Sequence, residues 1–138
     1  MTASRVGIDI VPLARVEAIL KAGLDVLQRH LVTQEVNEAY RHGKIDEACV
    51  AGKLAAKEAV FKLFRRQGVS LPWQAIHITT CAGGWPVAAL SGSAATLATE
   101  VGLTDIDLSI AHDGDYAVAA ATARISGPLS TSSAKETS

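Results

Sequence analysis

The C-terminal third constrains the fold most. Asp105 to Ala111 alternates strictly, with Ile106, Leu108 and Ile110 on one side and Asp107, Ser109 and Ala111 on the other. Asp113-Gly114 follows, a dipeptide that favours the tight turn of a β-hairpin. Tyr116 to Ala123 then supplies a partner strand. A hairpin with one apolar face must bury that face against something else. The remaining sequence offers helices for the purpose. A long helix is predicted from about Asp46 to Gln67 with Gly68 as its stop. At 100° per residue, Val50, Leu54 and Phe61 fall within about 40° of one another on it. Alanines at 51, 55, 56 and 59 let another segment or a ligand come close.

The first half reads as strand and helices. Val6 to Val11 is a short strand, and Pro12 suits the first turn of a helix carrying Leu13, Val16, Ile19 and Leu20. Thr33 can cap a second helix, with Glu35 in its first turn where the dipole favours an anion, and His42-Gly43 ends it. Ala75 to Cys81 and Trp85 to Leu90 form a second hairpin around Ala82-Gly83-Gly84. Ser91 or Ser93 starts a short helix closing at Gly102. The order predicts an α+β domain over residues 1–125: a small antiparallel sheet packed with a long central helix. From Ser126 the chain is polar and aperiodic, and residues 126–138 are expected to be a disordered tail.

Composition excludes several classes. A net charge of −1 over 138 residues gives no bulk attraction to nucleic acid or membrane. No apolar run is long enough to span a bilayer, and the N-terminus lacks a signal-peptide pattern, so a cytoplasmic protein is expected. Cys49 and Cys81 suit neither a disulfide framework nor a zinc site and read as free thiols. No Walker loop, nucleophile elbow or Rossmann glycine fingerprint occurs.

Three features could carry chemistry. Asp9 interrupts an apolar strand between Ile8 and Ile10. A carboxylate there is costly unless it is solvated, paired, bound to a cation or used to cap the following helix. Glu58 stands on the shoulder of the long helix's apolar stripe, and Lys62 lies one turn on, where the two can form a surface pair or face a ligand. His112 ends a strand at a hairpin turn, a place for a structural, solvated or ligand-reaching side chain.

Gly7-Ile8-Asp9 near the start, Lys57-Glu58-Ala59-Val60-Phe61-Lys62 in mid-chain, Gly84-Trp85-Pro86 at a hairpin and Ser109-Ile110-Ala111-His112 near the end resemble, in order and spacing, the holo-acyl-carrier-protein synthases. These are small phosphopantetheinyl transferases, and the resemblance spans about residues 6 to 123. It implies the phosphopantetheinyl transferase fold, a homotrimer with sites between subunits, and transfer of 4′-phosphopantetheine from coenzyme A to a serine of an apo acyl carrier protein, releasing adenosine 3′,5′-bisphosphate. It implies that Asp9 and Glu58 bind Mg2+ and, with Lys62, form the catalytic set. Lys57 and Lys62 would hold phosphate oxygens. Lys53, standing where the family usually has arginine, would belong to the coenzyme site, as would Ser109 and His112. Arg15 would contact the acidic carrier protein. Two departures stand in the late strand: Asp107 replaces a histidine, and Ala111 a serine. They raise the alternatives of a non-catalytic homologue that docks carrier proteins, or a coenzyme A-binding enzyme of other chemistry. If Asp107 does face the phosphates, Lys53, Lys57 and Lys62 are the charges expected to compensate it.

Overall fold

The first and last strands of the described residues, eleven residues each, pair along their whole length to frame the molecule. In the computed structural model, which describes residues 2–80 and 83–126, β1 (Thr2–Pro12) runs antiparallel to β7 (Tyr116–Ser126). β6 (Leu103–Asp113) pairs with the other edge of β7 through the expected hairpin, giving the sheet order β1-β7-β6. Both outer strands run further than their alternation suggests, because β7 offers each a continuous partner. The β6 ladder shifts register between Thr104 and Asp107, where Asp105 takes a φ of 56°. Ser126, the first residue of the expected tail, is the last residue of β7; residues 127–138, like Cys81, lie outside the described residues.

α1 (Leu13–Ala22) follows β1 directly, with Pro12 at its N-cap in an extended conformation (φ −75°, ψ 144°) rather than inside its first turn. A short α2 (Leu24–Gln28) after Gly23 was not expected. α3 (Thr33–Ala39) is capped at Val32, not Thr33; its N-terminal N–H is taken by Glu35, which donates no surface charge to the helix end because it is wholly buried. His42-Gly43 turns between two-residue strands β2 (Tyr40–Arg41) and β3 (Lys44–Ile45).

The central helix α4 (Glu47–Leu63) begins at Asp46, whose carboxylate accepts from the Ala48 and Cys49 N–H groups at 3.0 and 3.3 Å. It stops four residues before Gln67, since Arg5 Nη1 takes the freed Leu63 and Phe64 carbonyls at 2.8 and 3.0 Å and Arg65 adopts a φ of 49°. β4 (Ile76–Thr80) and β5 (Pro86–Leu90) form the second hairpin, and α5 (Gly92–Val101) closes at left-handed Gly102.

α4 lies on the inner face of the three-stranded sheet, and small residues set how close it comes. Ala117, Ala119, Ala121 and Ala123 of β7 are buried, as are Ala51, Ala55, Ala56 and Ala59 of α4. A Cβ on Gly7 would collide with the Ala59 carbonyl, so the glycine of Gly7-Ile8-Asp9 permits the approach of β1 to α4 that brings Asp9 to Glu58. No described helix is long and apolar enough to cross a membrane.

Candidate active site

Period-2 geometry turns Arg5, Gly7, Asp9 and Val11 of β1 inward. Asp9 thereby meets the C-terminal half of α4, where Lys62 Nζ donates to the Ile8 carbonyl at 2.8 Å and to Asp9 Oδ1 at 3.2 Å. Glu58, one turn before Lys62, accepts from both terminal nitrogens of Arg15 at 3.0 and 3.3 Å. Asp9 Oδ2 is buried and has no hydrogen-bond partner among the described residues. Such an atom costs about 1–3 kcal/mol if nothing satisfies it. Asp9 neither caps α1 nor lies on a wet face.

The two carboxyls titrate in opposite directions. Burial, then the neighbouring Glu58 carboxylate, push Asp9 up to about 6 against the pull of Lys62. Burial also works against ionised Glu58, but the neighbouring Asp9 carboxyl, the hydrogen bonds from Arg15 and the charges of Arg15 and Lys62 outweigh it and hold that carboxyl below its usual range. Carboxyls that act on one another in this way share charge as a unit. A hard divalent cation suits such a pair, since it takes oxygen ligands from one or two carboxylates and completes its shell with phosphates and water. No group of three or more His, Cys, Asp or Glu forms a metal cage among the described residues, so any cation here would depend on oxygens from elsewhere.

A second locus lies at the N-terminal half of α4, ~120° around the helix from Glu58 at 100° per residue. A cavity of about 390 Å³ opens between α4, β6 and the β4–β5 hairpin, lined in part by Arg41, Gly52, Lys53, Gly84, Pro86 and His112. Gly52 makes room for His112: a Cβ there would stand 3.1 Å from the imidazole Nε2. That nitrogen lies 2.8 Å from the Ala48 carbonyl oxygen and donates to it. Lys53 Nζ donates to Glu38 Oε1 at 2.6 Å and to the Ile78 carbonyl at 2.7 Å. Arg41 was not expected; its signal is the turn at His42-Gly43, which folds β2 back beside the start of α4.

The structure places Lys57 and Asp107 elsewhere than expected, and divides Ser109 from His112. Lys57 does not face a ligand. It and Glu35 are 0% exposed and 2.8 Å apart, and Lys57 also donates to the Trp73 and Ile76 carbonyls at 2.8 and 2.6 Å. Burial lowers its pKa, with Glu35 opposing the shift. Ser109 and His112, both expected at the coenzyme site, lie on opposite faces of β6 in one protomer, because they are three residues apart in a strand. His112 points inward, while Ser109 is exposed on the outer sheet face beside Asp107, Ala120 and Thr122. Asp107, on that outer face, accepts its own neighbour's Leu108 N–H at 2.9 Å, and the sheet separates it from Lys53, Lys57 and Lys62. The signal missed for Lys57 was a matched spacing: Glu35 and Glu38 at i,i+3 on α3 against Lys53 and Lys57 at i,i+4 on α4.

Two carboxylates with one unmatched oxygen, beside an exposed lysine, form a corner fitted to charge neutralisation in phosphoryl chemistry. The chain belongs to the 4′-phosphopantetheinyl transferase superfamily, whose ACPS sequence model matches residues 5–121, and it is an enzyme of that class. It is 37% identical over 118 residues to a holo-[acyl-carrier-protein] synthase of Desulforudis audaxviator, covering 86% of this chain and 90% of the relative. The solved ACPS–CoA complex of Chronobacterium ammoniagenes has a similar fold, with a TM-score of 0.78 and 27% identity, over 91% of this chain and 99% of that one. The Helicobacter pylori holo-[acyl-carrier-protein] synthase in complex with coenzyme A gives a TM-score of 0.73 and 27% identity, over 86% and 99%.

Proposed function

We propose that this enzyme transfers 4′-phosphopantetheine from coenzyme A to a serine hydroxyl of an apo acyl carrier protein, with Mg2+, and releases adenosine 3′,5′-bisphosphate. The observation that carries the reading is the buried, unpartnered Asp9 Oδ2 beside Glu58. The serine oxygen forms a bond to the pantetheine-bearing phosphorus as the bond from that phosphorus to the bridging oxygen breaks, and the hydroxyl proton is released to solvent. The charge left on the departing bisphosphate must be neutralised. Asp9 and Glu58 would hold the Mg2+, which when bound supplies that neutralisation across the pyrophosphate. Lys62, half-exposed and already beside Asp9, adds a positive charge that can turn to a phosphate oxygen. Around the cavity, Arg41, Lys53 and His112 offer cationic and donor groups of the kind a 3′-phosphate takes.

The carboxylate corner, the cavity and Ser109 lie on different sides of one protomer, so a coenzyme reaching more than one of them would bridge subunits. An apolar outer sheet face supports such an assembly: Val6, Ile8 and Ile10 are 62%, 60% and 55% exposed in one row. A patch of this kind marks an interaction site, and we assign it to a homotrimer. The retained carboxylate pair favours an enzyme over a non-catalytic docking homologue, and Asp107 adds no charge to the pair of its own protomer. The test is native and intact-mass spectrometry of the protein with coenzyme A, Mg2+ and a panel of apo carrier proteins. A trimer and a carrier heavier by one phosphopantetheine are expected. A monomer, or no modified carrier, would contradict the corresponding part of the reading.

A further inference from the structure

Three groups around the cavity at the start of α4 could meet a phosphate, and they differ in how firmly they are held. Arg41 is exposed and makes one side-chain hydrogen bond among the described residues, at 3.4 Å to Asp46 Oδ2. His112 Nε2 already donates to the Ala48 carbonyl. Lys53 alone of the three is buried, with 4% of its surface exposed, and it lines the cavity. Its Nζ donates to Glu38 Oε1 at 2.6 Å and to the Ile78 carbonyl at 2.7 Å. An ammonium has three N–H groups, so one remains for a ligand in the cavity.

A lysine is a point charge on a flexible stem, and its donors rotate. It gains direction only from its other partners. Here these come from two elements, Glu38 from the last turn of α3 and Ile78 from β4. Ile78 is itself fixed, because its N–H donates to buried Glu35 at 2.7 Å. Glu38 has two opposing effects on an incoming phosphate. Its charge repels the phosphate. Its grip on Nζ presents the third N–H in one direction, which lowers the ordering cost of binding. The second effect is expected to win, because a 2.6 Å charge-assisted bond to a side chain only 5% exposed leaves the ammonium no freedom to turn by itself.

We propose that Glu38 is a positioning residue for this cavity. With the Ile78 carbonyl it fixes Lys53 so that the remaining N–H meets the 3′-phosphate of coenzyme A, and it thereby sets a preference for coenzyme A over 3′-dephospho-coenzyme A. The inference rests on the proposed reading of the cavity as the place of that phosphate. Glu38 acts only through Lys53 and does not touch the ligand. Its oxygen is needed as an acceptor, not as a charge.

The test is calorimetric titration of the full chain with coenzyme A and with 3′-dephospho-coenzyme A, each with Mg2+. The proteins are the unaltered enzyme, Glu38→Ala, Glu38→Gln, Lys53→Met, and Glu38→Ala combined with Lys53→Met; unfolding midpoints check that each is folded. The unaltered enzyme is expected to bind coenzyme A more tightly than the dephospho form. Glu38→Ala is expected to bind coenzyme A about tenfold more weakly, the scale of one charge-assisted hydrogen bond, and the dephospho form unchanged. Glu38→Gln keeps the acceptor and should bind coenzyme A at least as tightly as the unaltered enzyme. Added to Lys53→Met, Glu38→Ala should change nothing further. Unchanged or tighter coenzyme A binding by Glu38→Ala overturns the proposal, as does an equal loss for both ligands or a further loss in the Lys53→Met background. Weaker coenzyme A binding by Glu38→Gln overturns it too, and decides the matter if Glu38→Ala does not fold. All of these outcomes leave the reading of the cavity standing. An unaltered enzyme that binds both ligands equally overturns the proposal together with that reading.

Discussion

α4 carries two clusters of carboxylate and cation, and they are built to opposite specifications. On the α3 side, Glu35 and Lys57 are 0% exposed, and every polar atom is used: Glu35 takes the Val32 and Ile78 N–H groups at 2.8 and 2.7 Å, and Lys57 takes two carbonyls besides its partner. On the β1 side, Asp9, Glu58, Arg15 and Lys62 keep access to solvent, and one buried oxygen has nothing to bind among the described residues. Complete satisfaction fixes α3, the segment around Trp73 to Ile78 and α4 in one arrangement. Incomplete satisfaction leaves work for a ligand. The difference separates a structural ion pair from a reactive one, although Lys57 and Glu58 are adjacent in the sequence.

The comparison breaks first at Lys57. Lys57→Met leaves Glu35 buried without its cation, and a loss of about 3–5 kcal/mol in denaturant unfolding is expected. Glu35→Leu combined with Lys57→Met should recover much of that loss, since a buried pair contributes little net once both partners are replaced by apolar groups. A Lys57→Met protein of unchanged stability that has lost coenzyme A affinity would return Lys57 to the ligand site.

A smaller effect sharpens the other side. The Asp9 carboxyl titrates at about 6 in the folded protein, against about 3.9 when unfolded. The folded state therefore binds the proton more tightly, and ionising Asp9 costs stability. That cost is absent below about pH 4, grows as pH rises, and is complete above about 6. Relative to Asp9→Asn, the unaltered protein should lose stability across this window and run parallel to it above. A difference that is constant from pH 4 to 8 would remove the strain assigned to Asp9.

Much of this was legible before the fold was in hand, for reasons that are local. Alternation with Asp113-Gly114 specifies the β6–β7 hairpin, and Asp46 followed by an alanine-rich helical run specifies α4. Asp9 was legible as a misfit, because a carboxylate between two isoleucines has few cheap explanations. Lys57 was not legible, since its partner comes from α3 and only the packing of α3 across α4 makes burial affordable. The separation of Ser109 from His112 follows from counting in twos along β6. The occupation of Glu58 by Arg15 needed the crossing of α1 over α4, which no single-element pattern encodes.

The most direct test of the account is the activity of Asp9→Asn and Glu58→Gln, read by intact mass of an apo carrier protein the unaltered enzyme modifies, with unfolding midpoints taken on the same samples. The account predicts that both variants fold, that Asp9→Asn is at least as stable as the unaltered protein at neutral pH, and that each loses transfer by about 10²–10³-fold or more. Transfer at the unaltered rate in either folded variant would contradict the claim that this corner is where the reaction takes place.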